Sequence, residues 1–131
     1  MNVIELTLTG RIPSKKNSRK MCRNPKSGHR FTMPSDNYKE WHAHAEMELF
    51  SQYRNKKISE VQEVQMDFYM PDNIRKDLTN TAESIMDLLV DCKIIEDDNW
   101  KVIPRILLDA RGVDRENPRV VVWIKYKSDK K

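Results

Sequence analysis

Residues 61–90 read VQEVQMDFYMPDNIRKDLTNTAESIMDLLV, and within them the spacing of apolar side chains changes from two to between three and four. Val64, Met66, Phe68 and Met70 alternate with Gln65, Asp67 and Tyr69. That is the period of a half-buried strand, whose successive side chains point to opposite faces. Pro71 stops the strand. Leu78, Ala82, Ile85, Met86 and Leu89 then recur at helical spacing, which predicts a helix from about Thr79 to Asp91 with one face in the core.

Outward from this pair, Val3, Ile4, Leu6 and Leu8 predict a strand over residues 2–9, ended by Gly10 and Pro13. Residues 11–35 carry three prolines, many cations and little apolar periodicity, so a long basic loop is expected there. Ser35 or Asp36 can cap a helix beginning near Asn37, in which Tyr38, Trp41, Ala45, Leu49 and Tyr53 recur every three or four residues; it should end before Lys56. Residues 102–108 and 120–126 are rich in β-branched and aromatic side chains and predict two more strands, with a turn at Asn117-Pro118. Trp41, Trp100 and Trp123 read first as packing residues. The expectation is an α/β (α+β) fold: one small domain over 1–131, with a mixed β-sheet of about four strands packed with two main helices.

The chain has 131 residues, 38% of them apolar and 34% charged, enough for one hydrophobic core. No apolar run approaches the roughly 18–20 residues of a membrane span, and no signal-peptide pattern opens the sequence, so a cytoplasmic protein without membrane partners is expected. Cys22 and Cys92 lack metal-ligand spacing and read as reduced thiols.

The net charge of +4 hides its distribution. Residues 1–57 balance at +7, residues 58–110 at −7 and residues 111–131 at +4. Arg11, Lys15, Lys16, Arg19, Lys20, Arg23, Lys26 and Arg30 fall in twenty residues without an acid. A solvated loop could carry such a run, but so would a surface for a polyanion.

The acidic middle is organised. Asp77 lies between the strand and the helix; Thr79, Glu83 and Asp87 follow at i, i+4 spacing on one helical stripe; Asp97 and Asp98 lie where the chain returns after the helix. Oxygen-only ligands of this kind suit Mg²⁺, with Mn²⁺ as a substitute, and phosphoryl chemistry. The capping alternative is equally physical: Asn80 and Glu83 have capping-box spacing, and an acid at Asp77 favours a helix N-terminus. A nuclease needs both cations for backbone phosphates and carboxylates for metal, and this small domain offers the two side by side.

The tract KDLTNTAESIMDLLVDCKIIEDDNW over 76–100, the N-terminal strand followed by GRIPSKKNS and the closing NPRVVVWIKY resemble the RusA-type Holliday-junction resolvases along nearly the whole chain. That family typically reads D-x-D-N, a Lys three residues after the Asn, an Asp-containing helix and a D-D turn about twenty residues on. The resemblance implies a Mg²⁺-dependent, homodimeric, structure-specific endonuclease that resolves four-way DNA junctions by paired symmetric cuts in recombination and repair, as in phages and prophages. It implies catalytic roles for Asp77 and Asp98 and aligns Thr79 and Glu83 with the rest of the catalytic set. Asp77, Asp98, Glu83 and Asp87 become the expected metal ligands. Lys15, Lys16, Asn17, Arg19, Lys20, Arg23, Arg75 and Lys76 become the expected DNA-binding residues.

Two positions depart from the pattern. Thr79 stands where the family's second Asp is usual, and Glu83 where its Lys is usual. Glu83 could restore the lost carboxylate, and Lys76 or Arg75 the lost cation. The rival expectation is a non-catalytic DNA-junction or RNA binding module with a degenerate metal site.

Overall fold

The change of period at Pro71 is where the chain leaves the sheet. A computed structural model, describing residues 2–14 and 19–127, has β1 at Asn2–Thr9, β2 at Arg19–Arg23, β3 at Arg30–Pro34 and α1 at Asp36–Gln52. These are followed by β4 at Val61–Met70, α2 at Leu78–Asp91, β5 at Ile106–Val113 and β6 at Arg119–Tyr126. β1, β4, β5 and β6 form one mixed sheet in the order β1-β6-β4-β5, with β4 parallel to β5 and the other pairs antiparallel. Parallel strands need a long crossover, and α2 lies within the one that joins β4 to β5. The expected mixed sheet of four strands with two helices is what the chain forms.

Alternation in β4 places Val64, Met66 and Phe68 in the core, joined by Leu6 and Leu8 of β1 and Val120, Val122 and Ile124 of β6. Against them pack Ala45 and Leu49 of α1 and Ala82, Ile85, Met86, Leu88 and Leu89 of α2. Burying one Leu or Ile side chain is worth about 1.5–3 kcal/mol, so this face fixes where α2 sits. Asp67, on the opposite face of β4, is also buried; it accepts hydrogen bonds from Trp123 Nε1 (3.1 Å) and Gln65 Nε2 (3.0 Å), which satisfy both its oxygens.

Ser35, of the two expected caps, caps α1: its Oγ accepts from Tyr38 N at 3.1 Å. β1 is an edge strand whose outer backbone groups would invite another chain. α1 prevents this: Gln52 accepts from Thr7 N and donates to Thr7 O, both at 2.8 Å, and Glu48 accepts from Thr9 N at 3.2 Å.

Three expectations are corrected. The basic segment is not a continuous loop but holds the antiparallel ribbon β2–β3, which forms a separate two-stranded sheet. The strand expected over 102–108 begins only at Ile106, because Asn99 accepts backbone bonds from Val102 and Ile103 and Pro104 has no N–H for a ladder. Trp100 does not pack in the core: it is 76% exposed, with Lys101 Nζ 5.7 Å from its ring centre. No helix among the described residues is long and apolar enough to cross a membrane.

Candidate active site

α2 begins at Leu78 because Asp77 is its N-cap, in extended backbone (φ −81°, ψ 121°). The Asp77 carboxylate makes no side-chain cap bond to the helix; Asn80 Nδ2 approaches its Oδ2 at 3.5 Å. Asn80 therefore lies inside the first turn, and the Asn80/Glu83 capping box does not form. The Asp77 carboxylate instead borders an open cleft of about 780 Å³, lined with Arg11, Pro13, Ser14, Arg75, Lys76, Asn80 and Thr81.

One of the cleft's cations, Arg11, is held by an acid outside the lining. Arg11 Nη2 meets Asp72 Oδ2 at 2.7 Å, and Asp72 also accepts from Ile74 N at 3.0 Å. These bonds, with the Arg11 guanidinium first, hold the Asp72 carboxyl below the usual carboxylate range. The Lys76 ammonium has its pKa lowered, chiefly by partial burial and then by Arg11. Arg11, Arg75 and Lys76 thus share one cleft with Asp77 at a helix N-terminus, a mixed lining with donors for a phosphate and a carboxylate for a cation.

The basic segment is latched to α2 by a side chain that the sequence reading passed over. Fully buried Ser84 donates from Oγ to Pro13 O at 2.7 Å, directly before Ser14 and the lysines beyond. Tyr38 of α1 is hydrogen-bonded to the same serine. With the serine hydrogen committed to Pro13, the Tyr38 hydroxyl donates and Ser84 Oγ accepts. Burial pushes the Tyr38 pKa up to about 12, helped by the nearby Asp87 and Asp91 carboxylates. A small hydroxyl within an apolar stripe gives no sequence signal of this role.

At the other end of the tract, Asp97 accepts from Asp98 N (2.7 Å) and Asn99 Nδ2 (3.0 Å), which holds its carboxyl below the usual range. Asp98 goes the opposite way: partial burial raises its pKa, and the neighbouring carboxylates Asp97 and Asp87 raise it further. Asp98 and Asp87 are thus brought within electrostatic reach of each other.

Of the other expected residues, Thr79 and Glu83 are exposed on α2 and Asp87 is half-buried. Asp77 and Asp87 are separated by ten residues of helical rise, about 15 Å, so one ion cannot be held by all four expected ligands. Among the described residues, no group of three or more His, Cys, Asp or Glu side chains lies close enough to enclose a metal. Lys15, Lys16 and Asn17 lie outside the described residues, as does the side chain of Arg19. Lys20 is turned to the domain, with its Nζ 3.0 Å from Asp36 Oδ1, and that carboxylate raises its pKa. Arg23 is exposed on the ribbon, and Arg75 and Lys76 line the Asp77 cleft. Cys22 and Cys92 are free; burial and the nearby Glu46 and Asp91 raise the Cys92 pKa to about 11, which keeps that sulfur in its unreactive thiol form.

Residues 12–125 match the family model of endodeoxyribonuclease RusA, from the start of the basic segment to the penultimate residue of β6. The chain belongs to the RusA endodeoxyribonuclease family. No curated protein matches it. Membership in this family makes the chain an endodeoxyribonuclease and implies Holliday-junction resolvase activity, with a divalent metal as the family's general requirement.

Proposed function

We propose that this protein is a Mg²⁺-dependent resolvase that hydrolyses two phosphodiester bonds symmetrically at a four-way DNA junction, working as a homodimer in DNA recombination and repair. The observation that carries the reading is the Asp77 carboxylate, unused as a helix cap and facing a cleft with Arg11, Arg75 and Lys76, in a chain that matches the RusA family over 12–125. Two-fold symmetry in the protein suits paired cuts in a substrate of like symmetry.

The donor set fits Mg²⁺ in its usual mode. This ion keeps several waters and is bound through one or two carboxylates plus phosphate oxygens of the substrate, so a closed protein cage is not required. Asp77 and Asp98 are the carboxylates assigned to it; Asp87, about 15 Å of helical rise from Asp77, is left as an acid that acts on Asp98 electrostatically, and Glu83 as an exposed acid on the stripe between. The chemistry that the ion supplies is polarisation of a phosphate and activation of water.

The chain's own residues do the rest. Arg11 and Lys76 place a backbone phosphate in the cleft, the first held by Asp72 and the second supplying the cation that Glu83 does not. Thr79 contributes a neutral hydroxyl in the first turn. Lys15, Lys16, Asn17, Arg19, Lys20, Arg23 and Arg75 add phosphate affinity with little sequence preference, Lys20 doing so only by sharing its ammonium with Asp36.

A synthetic four-way junction with Mg²⁺ tests the proposal. The wild-type chain should give paired symmetric nicks, lost in Asp77→Asn and Asp98→Asn proteins of unchanged circular dichroism. Thr79 and Glu83 favour a second reading, a junction binder that does not cut. Folded wild-type protein that retards junctions yet leaves them intact across Mg²⁺ and Mn²⁺ titrations would select it. Glu83→Gln reports on the stripe: a role toward metal predicts lost cleavage and weaker Mn²⁺ binding, whereas a solvated acid predicts neither.

A further inference from the structure

The β2–β3 ribbon has two unlike faces. Cross-strand partners share a face, and so do alternate residues along a strand. By the register Lys20↔Met33 and Cys22↔Phe31, one face carries Lys20, Cys22, Phe31 and Met33. Cys22 and Met33 are half-buried there, and Lys20 is tied to Asp36 of α1. By Met21↔Thr32 and Arg23↔Arg30, the other face carries Met21, Arg23, Arg30 and Thr32, all exposed.

This outer face is costly as it stands. Arg23 and Arg30 are direct cross-strand partners of like charge, which destabilises a two-stranded pair. Met21, 66% exposed, lies next to them. The ribbon is nevertheless ordered through its turn: Asn24 Oδ1 accepts from Lys26 N (2.9 Å) and Ser27 N (3.3 Å), Gly28 N donates to Asn24 O (2.8 Å), and Gly28 takes φ +73°, which suits a residue without Cβ. Lys26 adds a further cation at that turn, and no acid occurs between Arg11 and Ser35.

We propose that this outer face is a β-ribbon that seats in the groove of a duplex DNA arm, with Arg23 and Arg30 bound to phosphates and Met21 buried against the groove between them. The major groove is about 12 Å wide and admits a two-stranded ribbon. Phosphates remove the Arg23–Arg30 repulsion, and the groove removes Met21 from water, so the ligand offsets both costs at once. The inference rests on the resolvase reading for the identity of the polyanion, but it assigns a different part of the molecule from the cleft at Asp77. It also makes Arg30 and Met21 contact residues.

The test is the salt dependence of binding to a plain duplex and to a four-way junction, measured without divalent metal. Each lost phosphate contact lowers the log–log salt slope by about 0.9. Arg23→Gln combined with Arg30→Gln should lower the slope by about 1.8. The double Lys variant should keep it, and Arg54→Gln, just beyond the C-terminal end of α1, should leave it unchanged. Met21→Ala should weaken binding several-fold at every salt concentration with the slope intact. Wild-type affinity and slope in both the double Gln and the Met21→Ala proteins would overturn the proposal, as would a loss seen equally with Arg54→Gln. A wild-type chain that binds with these slopes but never cuts would sink the resolvase reading and leave the ribbon standing. A chain that cuts while the ribbon variants bind normally would do the reverse.

Discussion

α2 and the β2–β3 ribbon are the acidic and basic halves of one proposed activity, and they are built in opposite ways. α2 carries its acids on a helix whose other face, Ile85, Leu88 and Leu89, is entirely buried between sheet and α1. The ribbon has five residues per strand, and its dense contacts are those between its own two strands. A carboxylate that has to meet a reacting phosphate needs its position fixed to a fraction of an ångström, and a packed core does that. A cation that grips backbone phosphates gains from reach and can tolerate a scaffold that opens locally.

Leu88→Ala probes the packed half hardest. It should cost about 2–5 kcal/mol in a denaturant titration, because a cavity opens beneath α2. A loss under 1 kcal/mol would mean that the core does not set the helix.

Ser84→Ala comes next, at about 1–3 kcal/mol, since it leaves the Pro13 carbonyl and the Tyr38 hydroxyl without the partner they share. It should also quicken amide exchange at the start of the basic segment more than in β4. Equal effects on both would show a packing defect rather than a broken latch.

Tyr38→Phe should cost about 1 kcal/mol at neutral pH, and it carries a pH signature. The folded Tyr38 pKa is raised from 10.0 to about 12, so the tyrosine's contribution is complete below pH 10 and is lost as pH rises toward 12. Wild-type stability should fall across that window and the Phe variant should fall less. Parallel pH profiles would place the hydroxyl in water.

The smallest global effect belongs to the ribbon. Gly28→Ala forces a Cβ onto φ +73°, yet nothing lies within 4 Å of that Cβ, so the penalty is local backbone strain alone. Amide exchange over residues 19–34 should accelerate while the main denaturation midpoint stays within about 0.5 kcal/mol of wild type. A shift of the whole transition would make the ribbon part of the core, and the contrast between the halves would fail.

The same contrast explains what the sequence made legible. β4 and α2 announce themselves because burial imposes a period on their apolar residues, and Pro71 separates the two periods. The ribbon buries little, so Arg19–Arg23 and Arg30–Pro34 carry no apolar alternation, and only a cross-strand register reveals them. β5 begins late because Asn99 and Pro104 act locally, against the β-branched composition of Val102 and Ile103. In the proposed site, order along the chain singles out Asp77 and Asp98, but spacing along a stripe does not give distance. The separation of Asp77 from Asp87 follows from helical rise, and it divides a ligand set that periodicity had grouped. Arg11, Asp72 and Ser84 went unassigned because their partners lie 61 and 71 residues away.

β6, the last strand of the fold, lies inside the sheet, between β1 and β4. On a ribosome the cations and acids of the proposed site, from Arg11 to Asp98, are therefore synthesised before the sheet that aligns them can close. Until residues 119–126 emerge, β1 has no strand partner and β4 lacks one of its two. Long-range pairing of this kind is slow compared with helix formation. Pairing of residues 119–126 is thus the step that ties β1 to the strands beside which the proposed site is built.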